Sequence, residues 1–380
     1  MKKIIYLDNN ATTPVADKVS EEILLHLKEF YGNPSSIYSK GREAKKYLER
    51  QRETVAAFFN SAHDEVIFTS CGSESNNLAI KGTFFSSLKA KKHIITVTTE
   101  HPSVINTCES LRELGARITY LPVDNKGHID IDELEDSISD DTILVSVMLA
   151  NNETGVIADI KKISDIARAC GVLLHTDAVQ ASGKIPIDVK ALGVDMLSIS
   201  GHKFHAPKGV GALYVKKGLA LKTQIDGGGQ EFGLRAGTES TAYIAGLAKA
   251  CELSMNNITC ASERMYSLKR EFFDKLSSNI DGIIYNGDFE KSLPNTLSIS
   301  FKGVDTESLL ISLDLKGVLV SAGSACSSGA KKASRVLKAM ALPDDLLECV
   351  LRISFSAYST KEEMHSAADI IIETVKEIKN

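Results

Sequence analysis

Side chains able to bind ligands or move protons recur in this chain just after short β-branched runs. Val66–Thr69 leads into Cys71-Gly72-Ser73-Glu74-Ser75-Asn76, and His93–Val97 is followed by Glu100, His101 and Pro102. Thr142–Met148 precedes Asn151, Asn152 and Glu153; Val172–Thr176 precedes Asp177 and Gln180; Met196–Ile199 precedes Ser200, Gly201, His202 and Lys203. In open parallel sheets, ligands bind at the carboxyl ends of strands. A small-residue turn that opens a helix, as at Gly72-Ser73, presents free N–H groups and the positive end of a helix dipole, which suits a phosphate. Lys203 can form an imine, Asp177 can keep a pyridine nitrogen protonated, and Ser200 and His202 can donate to phosphate oxygens. His101 can stack on a ring face, while Asn152 and Gln180 can donate to ring substituents. These are the requirements of pyridoxal phosphate.

Each of these residues also has a plain structural role when taken singly. Asp177 can cap a helix, Gly72-Ser73 can be only a tight turn, and Lys203 can be a solvated surface lysine. Their joint placement carries the reading. A nicotinamide dinucleotide is the rival cofactor for such a sheet, but GxGxxG is missing: Gly72 stands alone, and Gly227-Gly228-Gly229 reads as a loop. His202 and His205 lack a carboxylate or cysteine neighbour, so no resident metal site is expected.

The seven cysteines (71, 108, 170, 251, 260, 326 and 349) are odd in number and include no CxxC. They argue against a disulfide scaffold or structural zinc and for a reducing, cytoplasmic setting. Cys326 lies in the small-residue run from Ser321 to Ala330, followed by Lys331 and Lys332, where nearby positive charge favours thiolate. The alternative for that run is a Gly/Ser loop with an incidental cysteine. Cys71 is the second candidate nucleophile, and the other five read as packing residues.

These groups need a scaffold, and the chain has the means to build one. It has 380 residues, 43% of them hydrophobic and 24% charged, with a net charge of −5. Slight acidity without basic runs argues against a nucleic-acid or anionic-membrane binder. No apolar run reaches the ~20 residues that span a bilayer, and Asp8 interrupts the N-terminal stretch too early for a signal peptide. The β-branched runs, with Arg117–Val123 and Gly211–Val215 added, recur at βαβ spacing, which predicts an α/β fold with a sheet covered on both faces. A helix is expected over Asp17–Tyr31, with Val19, Ile23, Leu24, Leu27 and Phe30 on one face. Thr241–Ser278 reads as mostly helical. A smaller α+β unit follows, with strands near Thr296–Phe301 and Val318–Ser321. Ser359 and Glu362 are expected to form a capping box for the last helix, striped with Met364, Ala367, Ala368, Ile371 and Val375.

The blocks Tyr6–Thr13, Gly32-Asn33-Pro34-Ser35-Ser36, Thr99-Glu100-His101-Pro102, Ala150–Gly155, His175–Gln180, Ser200-Gly201-His202-Lys203 and Gly323-Ser324-Ala325-Cys326 resemble, in order, the signature blocks of NifS/IscS-type cysteine desulfurases. The resemblance implies a fold-type I pyridoxal-phosphate transferase and a homodimer with its active site at the interface. Its large domain, residues 14–258, would hold a mainly parallel seven-stranded sheet, and residues 1–13 with 259–380 would form the small domain carrying the cysteine loop. The implied reaction takes sulfur from L-cysteine, leaving L-alanine and a persulfide on Cys326 for an iron–sulfur scaffold or another acceptor protein. By the same resemblance, Lys203 is the Schiff-base lysine and His101 the stacking, acid–base histidine. Asp177 contacts the pyridine nitrogen, and Gln180 and Asn152 lie near the ring oxygen. Gly72, Ser73, Ser200 and His202 form the phosphate cup, to which Thr238 of the partner subunit contributes. Arg352, assisted by Asn33, binds the substrate carboxylate, and Cys326 is a candidate transient iron–sulfur ligand. Ser73 stands where members often have Thr, and Ala357 where many have a second arginine. The 28 residues after Arg352 make a shorter tail than that of housekeeping members. A related pyridoxal-phosphate enzyme, such as an aminotransferase or selenocysteine lyase, is the nearest rival reading. A non-enzymatic interaction protein is the more distant one.

Overall fold

The computed structural model describes residues 4–322 and 334–379. Its strands, in chain order, are β1 (Ile5–Tyr6), β2 (Val66–Thr69), β3 (His93–Val97), β4 (Arg117–Leu121), β5 (Thr142–Ser146), β6 (Leu173–Asp177), β7 (Met196–Ser200), β8 (Gly211–Val215), β9 (Ile283–Tyr285), β10 (Thr296–Phe301), β11 (Val318–Leu319) and β12 (Val350–Ser354). The central sheet has seven strands in the order β2-β8-β7-β6-β5-β3-β4. Strands β4, β3, β5, β6 and β7 pair in parallel, and β8 runs antiparallel between β7 and β2. Every residue of β2, β3, β5, β7 and β8 is buried, which is why these runs are nearly continuous in apolar and β-branched residues. The parallel arrangement puts the carboxyl ends of β3, β5, β6 and β7 on one edge, and the antiparallel–antiparallel relay through β8 adds that of β2.

A three-stranded antiparallel sheet, β12-β10-β9, packs with helices Ile258–Ser277, Thr306–Lys316 and Lys361–Lys379. Its core joins Ile5 and Leu7 to Leu297, Ile299, Leu351 and Ile353, so the N-terminal segment packs with the C-terminal part of the chain. The central sheet has its own cores on its two faces. No helix among the described residues is long and apolar enough to cross a membrane.

The structure corrects several local expectations. The last helix is capped one residue later than expected: Thr360 Oγ1 accepts from Glu363 N at 3.2 Å, and Glu363 Oε2 accepts from Thr360 N at 3.3 Å. Ser359 instead accepts from Ser356 N through its hydroxyl. The expected stripe of Met364, Ala367, Ala368, Ile371 and Val375 is buried. In helix Asp17–Glu29, Val19 is buried, but Leu24 and Leu27 are 51% and 57% exposed. Sequence reading placed no element over Ser39–Phe59, which forms a helix. Its buried face begins with Gly41 and Ala44 amid many charged residues, so its apolar periodicity is weak.

That helix carries Arg52, whose buried guanidinium pairs with Glu231 through two hydrogen bonds, at 2.7 and 2.8 Å. Arg52 also donates to Val66 O, and Glu231 Oε2 accepts from Phe68 N. The pair thus pins the loop after β8 to the first strand of the sheet. Removing one partner of a buried pair leaves the other charge unsatisfied. Glu231→Ala is therefore expected to lower stability by about 3–5 kcal/mol in urea denaturation. A loss below about 1 kcal/mol, as for a surface pair, would contradict this role.

Candidate active site

Along the shared edge of carboxyl ends lies a cleft of about 280 Å³, near the small end of ordinary ligand pockets. β6 delivers Asp177 to the cleft, where the residue is only 6% exposed. Asp177 Oδ2 accepts from Asn76 Nδ2 at 2.7 Å and Oδ1 from Val179 N at 2.9 Å. β7 ends in a short 3₁₀ turn, Gly201–Lys203, that directs Lys203 into the cleft. Lys203 Nζ donates to the carbonyls of Asn10 and Ala11, at 2.7 and 2.8 Å.

Helix Gly72–Ser86 starts at the cleft, and its N-cap residue, Cys71, makes no side-chain cap. Its first N–H groups therefore remain available to an anion. Gly72 is required by packing, because a Cβ there would lie 2.6 Å from Val179 Cγ2. His101 caps helix Pro102–Arg112, and its Nδ1 accepts from Ser103 N at 3.1 Å while also contacting Ser103 Oγ. Asn76 Nδ2 donates to that same hydroxyl, which frees the Ser103 proton for Nδ1 and leaves the His101 Nε2–H to the cleft.

Arg352 reaches the cleft from β12, across from the sheet edge. Its Nη2 pairs with Asp8 Oδ1 at 2.7 Å and its Nη1 donates to Asn152 O at 3.1 Å, whereas Nε has no partner among the described residues. Glu100 Oε2 and Asn76 Oδ1 are likewise buried without partners. Unsatisfied buried polar atoms in a cleft mark places where a ligand or water completes the bonding. Burial, then the Asp177 charge, raises the Glu100 carboxyl well above its ordinary range. Burial lowers the imidazoles of His101 and His202, the latter to about 4, with Lys203 adding to both shifts. His175, buried behind Asp177 between Ser146 and Ser198 hydroxyls, is pushed down to about 3 and serves the sheet as a neutral hydrogen-bonding group.

The cleft brings together Gly72, Ser73, His101, Asn152, Asp177, Gln180, Ser200, His202, Lys203 and Arg352, all anticipated from sequence. Asn33 and Thr238 are exposed and do not line it. Cys326 lies outside the described residues. Cys71 does line the cleft. Cys108, Cys251 and Cys349 are buried as expected, with burial pushing the Cys108 thiol up to about 12, but Cys170 and Cys260 are exposed and do not pack. Sequence reading gave no task to Asn10, Asn76, Ser103, Glu153 or Arg335. Arg335 donates to Thr98 O and Glu100 O, and Ser334 donates to Glu153 Oε2. These residues also line the cleft and hold neighbouring groups through amide, hydroxyl, carboxylate or guanidinium hydrogen bonds, a role that residue type and spacing do not signal.

With this geometry in hand, the aminotransferase class-V family model matches residues 5–366. The chain belongs to the class-V aminotransferase family. A relative in Dictyoglomus turgidum named cysteine desulfurase IscS is 45% identical over 379 residues, covering 100% of this chain and 96% of its own length. A cysteine desulfurase of Nostoc sp. is 43% identical over 376 residues, 99% of this chain and 94% of that protein. Among solved structures, a NifS-like protein superposes with a TM-score of 0.93 at 38% identity, covering 99% of this chain and 100% of its own. SspA in complex with cysteine gives a TM-score of 0.83 at 34% identity, over 95% of this chain and 100% of that one. These class-V relatives support the fold-type I architecture expected from sequence.

The electrostatics of His101 can be tested directly. Burial and Lys203 lower its pKa, while Asp177 raises it. In ¹⁵N NMR titrations of protein free of small ligands, His101 should titrate below the ordinary ~6.5. Lys203→Ala should move it upward and Asp177→Asn downward. Shifts of the same sign in both variants would contradict the arrangement.

Proposed function

We propose that this chain is a cysteine desulfurase that binds pyridoxal 5′-phosphate in the cleft and passes sulfur from L-cysteine to Cys326. One observation carries the reading: a lysine, a buried carboxylate, an uncapped helix start and an arginine whose Nε has no partner among the described residues converge on one cleft. The donor set fits the cofactor. Gly72 and Ser73 at the helix start, with Ser200 and His202, would hold its phosphate, and Asp177 would hold a proton at the ring nitrogen. His101 would cover a ring face, and Gln180 and Asn152 would serve the ring oxygen.

When bound, the cofactor supplies an electron sink that allows bonds at the amino-acid substrate to be broken. Arg352 binds the carboxylate of L-cysteine, using the donor geometry suited to that group. Lys203 Nζ would take the substrate α-proton, and the buried His101 would move a proton at its Nε2. Cys326 thiolate takes the sulfur and holds it as a persulfide, and alanine is the other product. An iron–sulfur scaffold or another protein then accepts the sulfur, with Cys326 a candidate transient ligand of the cluster.

The division into residues 14–258 and residues 1–13 with 259–380 belongs to this proposal, since substrate would enter between Lys203 and Arg352. So does a homodimer, in which Thr238, exposed here, would serve the phosphate cup of a second copy. Tyr31, Ile37 and Tyr38, which are 70%, 89% and 59% exposed, supply apolar surface beside Asn33 for that contact. Free thiols at all six described cysteines suit a cytoplasmic setting.

Cys326→Ala should release no alanine from L-cysteine while keeping the cofactor's visible band near ~420 nm. Lys203→Ala should lose that band. Normal alanine release by the first variant, or an unchanged spectrum for the second, would overturn the assignments.

A further inference from the structure

Beneath the cleft lies a side chain to which the proposed reaction gives no task. Lys184, four residues beyond Gln180, is 5% exposed. Its Nζ donates to Gln180 Oε1 at 2.8 Å and to Asn10 Oδ1 at 3.2 Å. Burying a lysine is costly unless its polar end is satisfied. Burial, followed by the charges of Lys203 and Arg352, holds its pKa well below the ordinary lysine value.

The bond to Gln180 has a chemical consequence. A glutamine amide has one acceptor end and one donor end. Lys184 occupies Oε1, and Gln180 Nε2 donates one hydrogen to Asn10 O at 2.9 Å. The second Nε2 hydrogen is left for the cleft that Gln180 lines. Flipping the amide would set Oε1 against the Asn10 carbonyl, an acceptor against an acceptor, and would take away the acceptor to which Lys184 Nζ now donates. We propose that Lys184 is a positioning residue that locks the Gln180 amide with its N–H end toward the cleft, so that the site selects a hydrogen-bond acceptor on the cofactor ring. This rests on the pyridoxal-phosphate reading and adds to it a residue that never touches the cofactor.

The test is a thermodynamic cycle on the full-length chain, with pyridoxal 5′-phosphate affinity read by visible absorption. Wild type, Lys184→Met, Gln180→Ala and the double variant are compared, and thermal melts are recorded for all four. Methionine matches the lysine stem in length and removes only the donor. Lys184→Met should weaken cofactor affinity about three- to tenfold, the range for one neutral hydrogen bond. In the Gln180→Ala background it should cost less than about twofold, because the amide it orients is gone. Wild-type affinity in Lys184→Met, or the same penalty in both backgrounds, would overturn the proposal, and the latter would mark a merely structural lysine. If Lys184→Met fails to fold, Lys184→Leu, which also removes the donor, undergoes the same cycle, and its penalty must likewise vanish without Gln180. Failure of the wild type itself to bind the cofactor would instead overturn the functional reading.

Discussion

The cleft depends on one residue of the N-terminal segment. Asn10 offers its carbonyl oxygen to both Lys203 and Gln180. Its Oδ1 accepts from Lys184 and Asn295, its Nδ2 donates to Thr296 and Asn152 O, and its N–H donates to Ser354 Oγ. The same short segment is tied to β11 through β1, and Leu7 O accepts from Ser354 N. Residues from the central sheet and from the β12-β10-β9 sheet are thereby referenced to one backbone position. Such a buried network is favourable only when nearly every member is satisfied, since each orphaned group costs about 1–3 kcal/mol. Asn10 meets that condition at its carbonyl, its amide N–H and both ends of its side chain.

Around this knot the charges are arranged by burial more than by pairing. Arg352 keeps one nitrogen on Asp8 and another on a carbonyl, with Nε unused among the described residues. His101 is held by Ser103 through Nδ1, so its orientation is set before any ligand arrives. His205, just beyond Lys203, has a φ of 69° and is held there by Thr13 Oγ1, which accepts from its N–H at 2.7 Å. A left-handed non-glycine residue costs about 1 kcal/mol or more. Here it ends the turn that aims Lys203 into the cleft.

Much of this arrangement was legible in the sequence. Strands of the central sheet announce themselves because both faces are buried, so runs of apolar and β-branched residues mark the bounds of β2, β3 and β8. The strand-end rule then placed Asp177, His101 and Lys203 together. Less legible were features whose signal is not periodic. The helix Ser39–Phe59 hides its buried face among charges and small residues. Thr360 rather than Ser359 caps the last helix because two adjacent hydroxyls compete, and Ser359 is taken by Ser356 N. Asn10 and Lys184 act on other protein groups, and an asparagine or lysine in an otherwise ordinary stretch carries no mark of that.

Among the described residues the cleft is lined by one cysteine, Cys71, at the start of helix Gly72–Ser86, yet the proposed sulfur carrier is Cys326. Charging the full-length protein with ³⁵S-labelled L-cysteine, followed by non-reducing peptide mapping, separates the two thiols. Sulfur transfer to Cys326 predicts one label per chain, on the peptide containing Cys326, released by reductant and formed together with alanine. Label on the Cys71 peptide, or alanine formed without any labelled cysteine, would contradict it.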